Sequence, residues 1–289
     1  MAEESRLTRK DYEEIQTDLE SKTKYRPKIG IICGSGLGGL ADRLTDAETF
    51  PYEKIPKFPV STVPGHAGQL VFGLLGGKEV VCMKGRFHFY EGYPAWKLTI
   101  PIRVMHLMGV KTVIVTSAAG GVNQQYNVGD FMVIKDHINM VGLGGNHPLV
   151  GPNDDSFGER FVPMSKVYDK GLRELVKGTA KELKLDELIR EGVYCMVSGP
   201  TYETPAEVRY LEKIGVDAVG MSTCPEVTVA RHCGMRVFGM SLITNKCVSV
   251  YDTDEGPSHQ EVLRIGAEAA TKMEKLIETC VGKMDEPST

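Results

Sequence analysis

At 289 residues, 42% hydrophobic and 25% charged, the chain has the composition of an ordinary soluble globular protein, one large α/β domain or two small ones. A net charge of -4 and a pI near 6.0 argue against a nucleic-acid or membrane surface, which clustered Lys and Arg would serve, and favour a small enclosed ligand. Seven scattered cysteines, odd in number and without a C-x-x-C pair, suit reduced thiols rather than a disulfide framework or a zinc site. No metal is expected. The charged start of the chain lacks the apolar core of a signal peptide, and no apolar run reaches the about 18 residues of a membrane span, so the cytoplasm is the expected compartment.

Helical spacing over residues 11–19 places Ile15 and Leu19 on one side, and Arg26-Pro27 separates this stretch from the first strand. An N-terminal helix within residues 1–25, laid on the body, is predicted. Lys28-Ile29-Gly30-Ile31-Ile32 reads as that strand, Cys33-Gly34-Ser35-Gly36-Leu37-Gly38-Gly39-Leu40 as a turn, and residues 40–44 as a helix. A strand turning through glycines into a helix presents backbone N–H groups to an anion. Gly34, Gly36 and Gly39 also fit the dinucleotide fingerprint G-x-G-x-x-G, which demands a second strand ending in an acid about 20 residues on. Glu53 has that separation, but Pro51, Pro56 and Pro59 surround it and make a central strand improbable. That weakens a nicotinamide dehydrogenase and leaves phosphate alone, with Ser35 adding a hydroxyl. A turn whose glycines serve only packing is the alternative.

Further strands are predicted over residues 70–75, 79–83, 112–115, 131–134, 193–197, 218–221 and 236–244, several rich in Val and Ile with little alternation, as in strands covered on both faces. Helices are predicted over 96–108, 166–183, 206–214, 226–233 and 259–280. Strands interleaved with helices imply α/β packing with much of the sheet parallel. With no repeat, linker or charge block, residues 1–289 read as one domain. The loop over 142–161 is long enough to be functional.

Several strand ends carry chemistry. In Gly85-Arg86-Phe87-His88-Phe89-Tyr90-Glu91-Gly92 an extended backbone puts Arg86, His88 and Tyr90 on one face, with Arg suited to bidentate phosphate binding; a salt-bridged Arg at an aromatic core edge is the alternative. Pro64-Gly65-His66 is a small-residue loop that lets His66 approach a ligand, although a lone loop His is often only a surface residue. Thr116-Ser117-Ala118-Ala119-Gly120-Gly121 brings small residues to the end of a buried strand, where open α/β sheets bind ligands or simply turn tightly. In Gly199-Pro200-Thr201-Tyr202-Glu203-Thr204, Tyr202 offers a stacking face and Glu203 an acceptor for ring N–H groups, or a first-turn acid on a helix starting near Thr204. Ser222 or Thr223 reads as the N-cap of the next helix. Asn245 both donates and accepts, as recognition of a ring with adjacent N and C=O groups requires, or caps its strand. His259 stands at the start of the last helix as a ligand contact or a helix-start residue.

Taken in order, Gly34-Ser35-Gly36, Pro64-Gly65-His66, the 85–93 segment, Ala118-Ala119-Gly120-Gly121, Gly199-Pro200-Thr201-Tyr202-Glu203-Thr204, Gly220-Met221-Ser222-Thr223 and Ile243-Thr244-Asn245-Lys246 resemble the trimeric purine nucleoside phosphorylases of animals, over about residues 27–259. The resemblance implies a single α/β domain with a mixed central β-sheet flanked by helices, and 6-oxopurine specificity. By it, Ser35, His66, Arg86, His88, the backbone of Ala118, and Ser222 surround phosphate. Tyr90, Met221 and His259 face the ribose. Tyr202, Glu203, Val219, Thr244 and Asn245 hold the purine, and Phe161 is lent from a neighbouring subunit of a homotrimer. Asn245, His88, Glu203 and His259 carry the catalysis, phosphate is a co-substrate, and no cofactor is implied. Two positions depart from the pattern: Ser117 stands where relatives commonly carry Asn, and Tyr202 replaces the usual Phe. A methylthioadenosine phosphorylase is the nearest alternative, but that branch resembles Asp at position 245 and a small apolar residue at 259. A catalytically silent nucleoside-binding protein is opposed by the intact Arg86, His88, Glu203 and Asn245.

Overall fold

The computed structural model describes residues 5–62, 67–252 and 259–285, with side chains of the last helix described from residue 269. Helix α1 (Arg9–Lys22) starts at a capping box: Thr8 Oγ1 accepts from the Asp11 N–H while the Asp11 carboxylate accepts from the Thr8 N–H. Its buried stripe, Tyr12, Ile15 and Leu19, packs on a later helix of the body. There follow β1 (Ile29–Cys33), α2 (Gly39–Asp42), β2 (Thr45–Pro51), β3 (Gln69–Leu75), β4 (Lys78–Lys84), α3 (Ala95–Leu98), α4 (Ile100–Leu107), β5 (Thr112–Gly121) and β6 (Phe131–Asn139). The remainder is α5 (Met140–Leu143), α6 (Lys170–Glu182), β7 (Ile189–Met196), α7 (Pro205–Lys213), β8 (Ala218–Gly220), α8 (Cys224–His232), β9 (Arg236–Lys246) and α9 (His259–Lys283). No described helix is long and apolar enough to cross a membrane.

The nine strands of the described residues form one mixed sheet in the order β2-β3-β4-β1-β5-β8-β7-β6-β9, and a further parallel pairing of β9 with β5 closes the last five into a ring. β1 lies between β4 and β5, parallel to both. Its residues face two cores in alternation: Ile29, Ile31 and Cys33 join α2, α6 and α9, whereas Ile32 faces the side of α1, α4 and α8. Both faces being covered, the strand is a continuous apolar run rather than an alternating one. Each fully buried Ile contributes about 1.5–3 kcal/mol over an exposed one.

Three local expectations are corrected. β2 is an additional strand, antiparallel to β3 at the sheet edge; its polar Thr-Asp-Ala-Glu-Thr run carries no apolar signal, and its terminal Pro51 is tolerated at an edge. The helix expected over 96–108 is broken at Thr99, because Pro101 has no N–H to offer the preceding turn. Thr223 occupies the N-cap position of α8, but at φ 79° with no capping bond from its side chain.

The parallel strands β1, β4, β5 and β9 bring their carboxyl ends to one region, as ligand-binding α/β sheets do. A β-bulge adjusts the last of them: Ala119 pairs with Ile243 but Gly120 with Asn245, leaving Thr244 unpaired. In a regular strand Thr244 and Asn245 would face opposite sides. The bulge turns both toward one cavity.

Candidate active site

The cavity at these strand ends holds about 310 Å³. One wall comes from the segment after β4. Gly85 at φ 106° turns the chain, after which Phe87 packs against Tyr52 and Phe58 in the core while Arg86 and His88 face the cavity. Tyr90 belongs to a short 3₁₀ turn, so strict alternation ends at His88, yet its ring stacks on that of His88 with centroids 4.7 Å apart and planes at 12°. Arg86 is 1% exposed. Its Nε donates to Glu226 Oε1 at 3.0 Å, and its Nη1 donates to the Thr116 carbonyl and to Ser222 Oγ, each at 2.9 Å. The Ser222 hydroxyl therefore serves the guanidinium rather than the cap of α8.

Two acids that sequence reasoning left without a role organise this wall. Glu226, buried in the first turn of α8, pairs with Arg86 across 140 positions. Glu91 accepts from the His88 N–H at 2.7 Å and approaches His88 Nδ1 at 3.3 Å, while its other oxygen takes the N–H and hydroxyl of Thr62. Burial alone would raise the Glu91 carboxyl, but the hydrogen bonds from His88 and Thr62 outweigh it and hold the pKa at about 2. Burial lowers the His88 pKa, against the opposing pull of Glu91, which favours the neutral ring. The motif string contained a signal for Glu91, since an acid three residues after His88 forms the capping-box spacing. Glu226 had none.

Two amides of the glycine turn are taken within the fold. Of its residues only Ser35 lines the cavity. The Gly34 N–H is taken by Thr116 Oγ1 at 3.0 Å and the Leu37 N–H by the Gly34 carbonyl at 3.0 Å. A Cβ on Gly34 would lie 2.6 Å from the Thr116 carbonyl oxygen, and Gly36 sits at φ 75°. The glycines thus seat the turn against β5 and bring Ser35 to the cavity. Glu53, the failed dinucleotide acid, sits in a 3₁₀ turn after β2 and does not line the cavity.

The far wall combines the ends of β5, β8 and β9 with the loop before α7. Ala118, Ala119 and Gly120 supply a flat backbone floor, and Val219, Gly220 and Met221 the side opposite. Thr244 Oγ1 donates to Asn245 Oδ1 at 3.1 Å, which fixes that oxygen as an acceptor and leaves Nδ2 as a donor. A Cβ on Gly120 would lie 2.7 Å from Cys247 Sγ and 3.2 Å from Asn245 Nδ2. Gly120→Ala is therefore expected to shift the amide and lower kcat about 10- to 100-fold, with folding intact by circular dichroism. Glu203 precedes α7 rather than occupying its first turn: Thr204 is the N-cap and Glu207 completes the capping box. Burial raises the Glu203 pKa, helped by Glu207 and opposed by a bond from its own backbone. Tyr202 lies at the cavity mouth, 39% exposed. Ser117 does not reach the cavity; its hydroxyl pairs with that of Ser241 on β9 at 2.8 Å.

Twelve residues singled out in the sequence line this one cavity: Ser35, Arg86, His88, Ala118, Ser222, Tyr202, Glu203, Val219, Thr244, Asn245, Tyr90 and Met221. Pro200, missed by residue chemistry because it carries no polar group, joins them. Phe161 lies outside the cavity, 86% exposed. His66 lies outside the described residues, and so does the side chain of His259, whose backbone opens α9.

This strand-end cavity in a mixed, ring-closed sheet defines a nucleoside phosphorylase fold, and the sequence model of the Phosphorylase superfamily matches residues 28–282. A purine nucleoside phosphorylase of Bos taurus is 54% identical over 93% of this chain and 93% of its own, and one of Rattus norvegicus is 54% identical over 95% of each. The crystal structure of Schistosoma mansoni purine nucleoside phosphorylase in complex with inosine superposes with a TM-score of 0.95 at 47% identity, covering 99% of this chain and 100% of that one. The chain belongs to the purine nucleoside phosphorylases, pentosyltransferases that exchange the base of a purine nucleoside for phosphate.

Proposed function

We propose that the cavity phosphorolyses 6-oxopurine nucleosides of the inosine and guanosine type, reversibly, to the base and (deoxy)ribose 1-phosphate, in purine salvage in the cytoplasm. The carrying observation is the presence in one cavity of a group suited to an oxyanion, Arg86 with Ser35 and Ser222, together with a carboxylate and an amide, Glu203 and Asn245. Phosphate, beside Arg86, His88, Ser35, Ser222, the Ala118 backbone and His66, attacks the sugar carbon. The C1′–O bond forms as the C1′–N9 bond breaks, and the bonding pair passes to the purine. Positive charge on the sugar faces phosphate; negative charge on the base meets the Asn245 donor, while Glu203 accepts from a ring N–H. Tyr90, Met221 and His259 fix the ribose, with His259 at the 5′-hydroxyl. Tyr202, Val219 and Thr244 bound the base. Inorganic phosphate is the co-substrate and no cofactor or metal takes part.

The test is incubation with inosine, guanosine, adenosine and methylthioadenosine, with and without phosphate. Phosphate-dependent release of hypoxanthine and guanine is expected. Turnover of adenosine or methylthioadenosine as fast as inosine would overturn the base assignment.

Two predictions bear on individual residues. Glu203 accepts a charge-assisted hydrogen bond from the ring N–H only when ionised, and its pKa lies above the ordinary glutamate value, so kcat/KM for inosine should fall on the acid side through a pKa above that value. Glu203→Gln should remove this limb and cost about 10- to 100-fold in kcat/KM, the worth of a hydrogen bond to a charged group. Phe161, too exposed to be stable as a core residue, is proposed to cover a neighbouring subunit's site in a homotrimer. Phe161→Ala should raise the inosine KM about tenfold, the loss of one buried aromatic contact, with unchanged Tm. A monomeric mass by light scattering would defeat this reading.

A further inference from the structure

Helices α1 and α4 and the loop before α6 enclose a small cavity of about 70 Å³ that shares no lining residue with the active-site cavity. Arg6, Tyr12, Arg103, Asp154 and Phe157 are among its lining. Arg103 has its guanidinium over the Phe157 ring, 4.4 Å from the centroid, and its Nη1 is buried with no hydrogen-bond partner among the described residues. A buried cationic donor left without an acceptor costs about 1–3 kcal/mol or more, so an acceptor is wanted there. The described residues do not supply it. Asp154, the acid in the lining, holds the backbone and hydroxyl of Ser156 with its Oδ1, and neither of its oxygens bonds Arg103 Nη1. Asn153 is spent, its amide donating to Asp155 and Gly158 and its oxygen meeting His232 Nε2. Arg9, whose guanidinium also lies over the Phe157 ring, 4.8 Å from the centroid, is paired with Glu13.

We infer that this cavity binds a small inorganic oxyanion, with Arg103 as its fixed donor and Arg6 as the solvent-side second cation. Two guanidiniums against one carboxylate leave the lining with an excess of positive charge, and the planar fork of Arg103, held by the aromatic ring, is preorganised for two parallel N–H···O bonds. The volume accommodates more than a single water, which suits an ion of phosphate size. Because the cavity is built by α1, α4 and the segment leading to Phe161, the ion would tie three separate parts of the chain together.

Equilibrium dialysis with radiolabelled inorganic phosphate tests this. The wild-type protein should bind two phosphates per subunit, Arg103→Met one and Arg86→Met one, so that each substitution removes a different site. Arg103→Met should retain the wild-type KM for phosphate in turnover, which separates this site from the catalytic one. One phosphate per subunit in the wild type, or two in Arg103→Met, overturns the inference. Should Arg103→Met fail to fold, Arg6→Ala, at the exposed rim, carries the same test: its second phosphate should bind at least tenfold more weakly, and an unchanged affinity overturns the site.

Discussion

Asn245→Ala is expected to lower kcat for inosine about 10²- to 10³-fold while changing KM little, as measured by initial rates at saturating phosphate. The proposed role explains the split. In the ground state the purine carries no charge, so the amide donor contributes a hydrogen bond of modest worth; in the transition state the departing base carries most of the breaking bond's electrons, and the same bond strengthens. Loss of an interaction made chiefly in the transition state lowers kcat and kcat/KM together. The amide is placed for this by the bulge at Thr244 and by the Thr244 hydroxyl on Oδ1. Ser117→Ala is the control. Ser117 lies on the adjoining β5, fully buried, and its hydroxyl touches Ser241 rather than the cavity. Its removal should cost about 1 kcal/mol of stability and less than about threefold in kcat. Equal losses in kcat for the two variants would sink the leaving-group role of Asn245.

The strands were legible because apolar runs such as Gly30-Ile31-Ile32 and Val113-Ile114-Val115 have covered faces on both sides, and composition alone reports that. β2 was not, since an exposed edge strand answers to its hydrogen-bonded neighbour rather than to its own side chains. The candidate site followed the same division. Residues whose chemistry is rare in a turn, such as Arg86, His88, Glu203 and Asn245, stood out at strand ends, and the resemblance ordered them. What remained hidden depends on register and distance. The unpaired Thr244 is a property of β9 against β5, and no inspection of Thr244-Asn245 alone reveals that both face one way. The glycine turn has the spacing of an anion cradle, yet the Thr116 hydroxyl from another strand occupies the first of its amides. Glu226 looks like an ordinary first-turn acid of α8 until the fold sets Arg86 beside it.

That pairing leads to the largest expected effect on stability. Arg86 and Glu226 are both nearly inaccessible to solvent, at 1% and 4% exposure, and each satisfies a charge that water cannot reach. Glu226→Ala removes the acceptor of Arg86 Nε and leaves a buried guanidinium short of its counter-charge, which should cost about 3–5 kcal/mol. At about 2–4 °C per kcal/mol, as for somewhat smaller domains, the Tm falls by roughly 6–20 °C in a calorimetric scan. Below that Tm the phosphate KM should rise about tenfold or more, because the guanidinium loses the carboxylate that aims its Nε side, while Nη1 still meets the Thr116 carbonyl and the Ser222 hydroxyl. Glu226→Gln retains an oxygen at the Nε position and should keep the phosphate KM within about threefold, although the charge is gone. The double variant Arg86→Met/Glu226→Ala separates stability from function: without the buried cation, the missing carboxylate no longer leaves a charge uncompensated, so this protein should be more stable than Glu226→Ala while binding phosphate worst of all. If the double variant were instead the less stable by the sum of the single losses, Glu226 would be contributing through packing alone, and its assignment as the residue that positions Arg86 would fail.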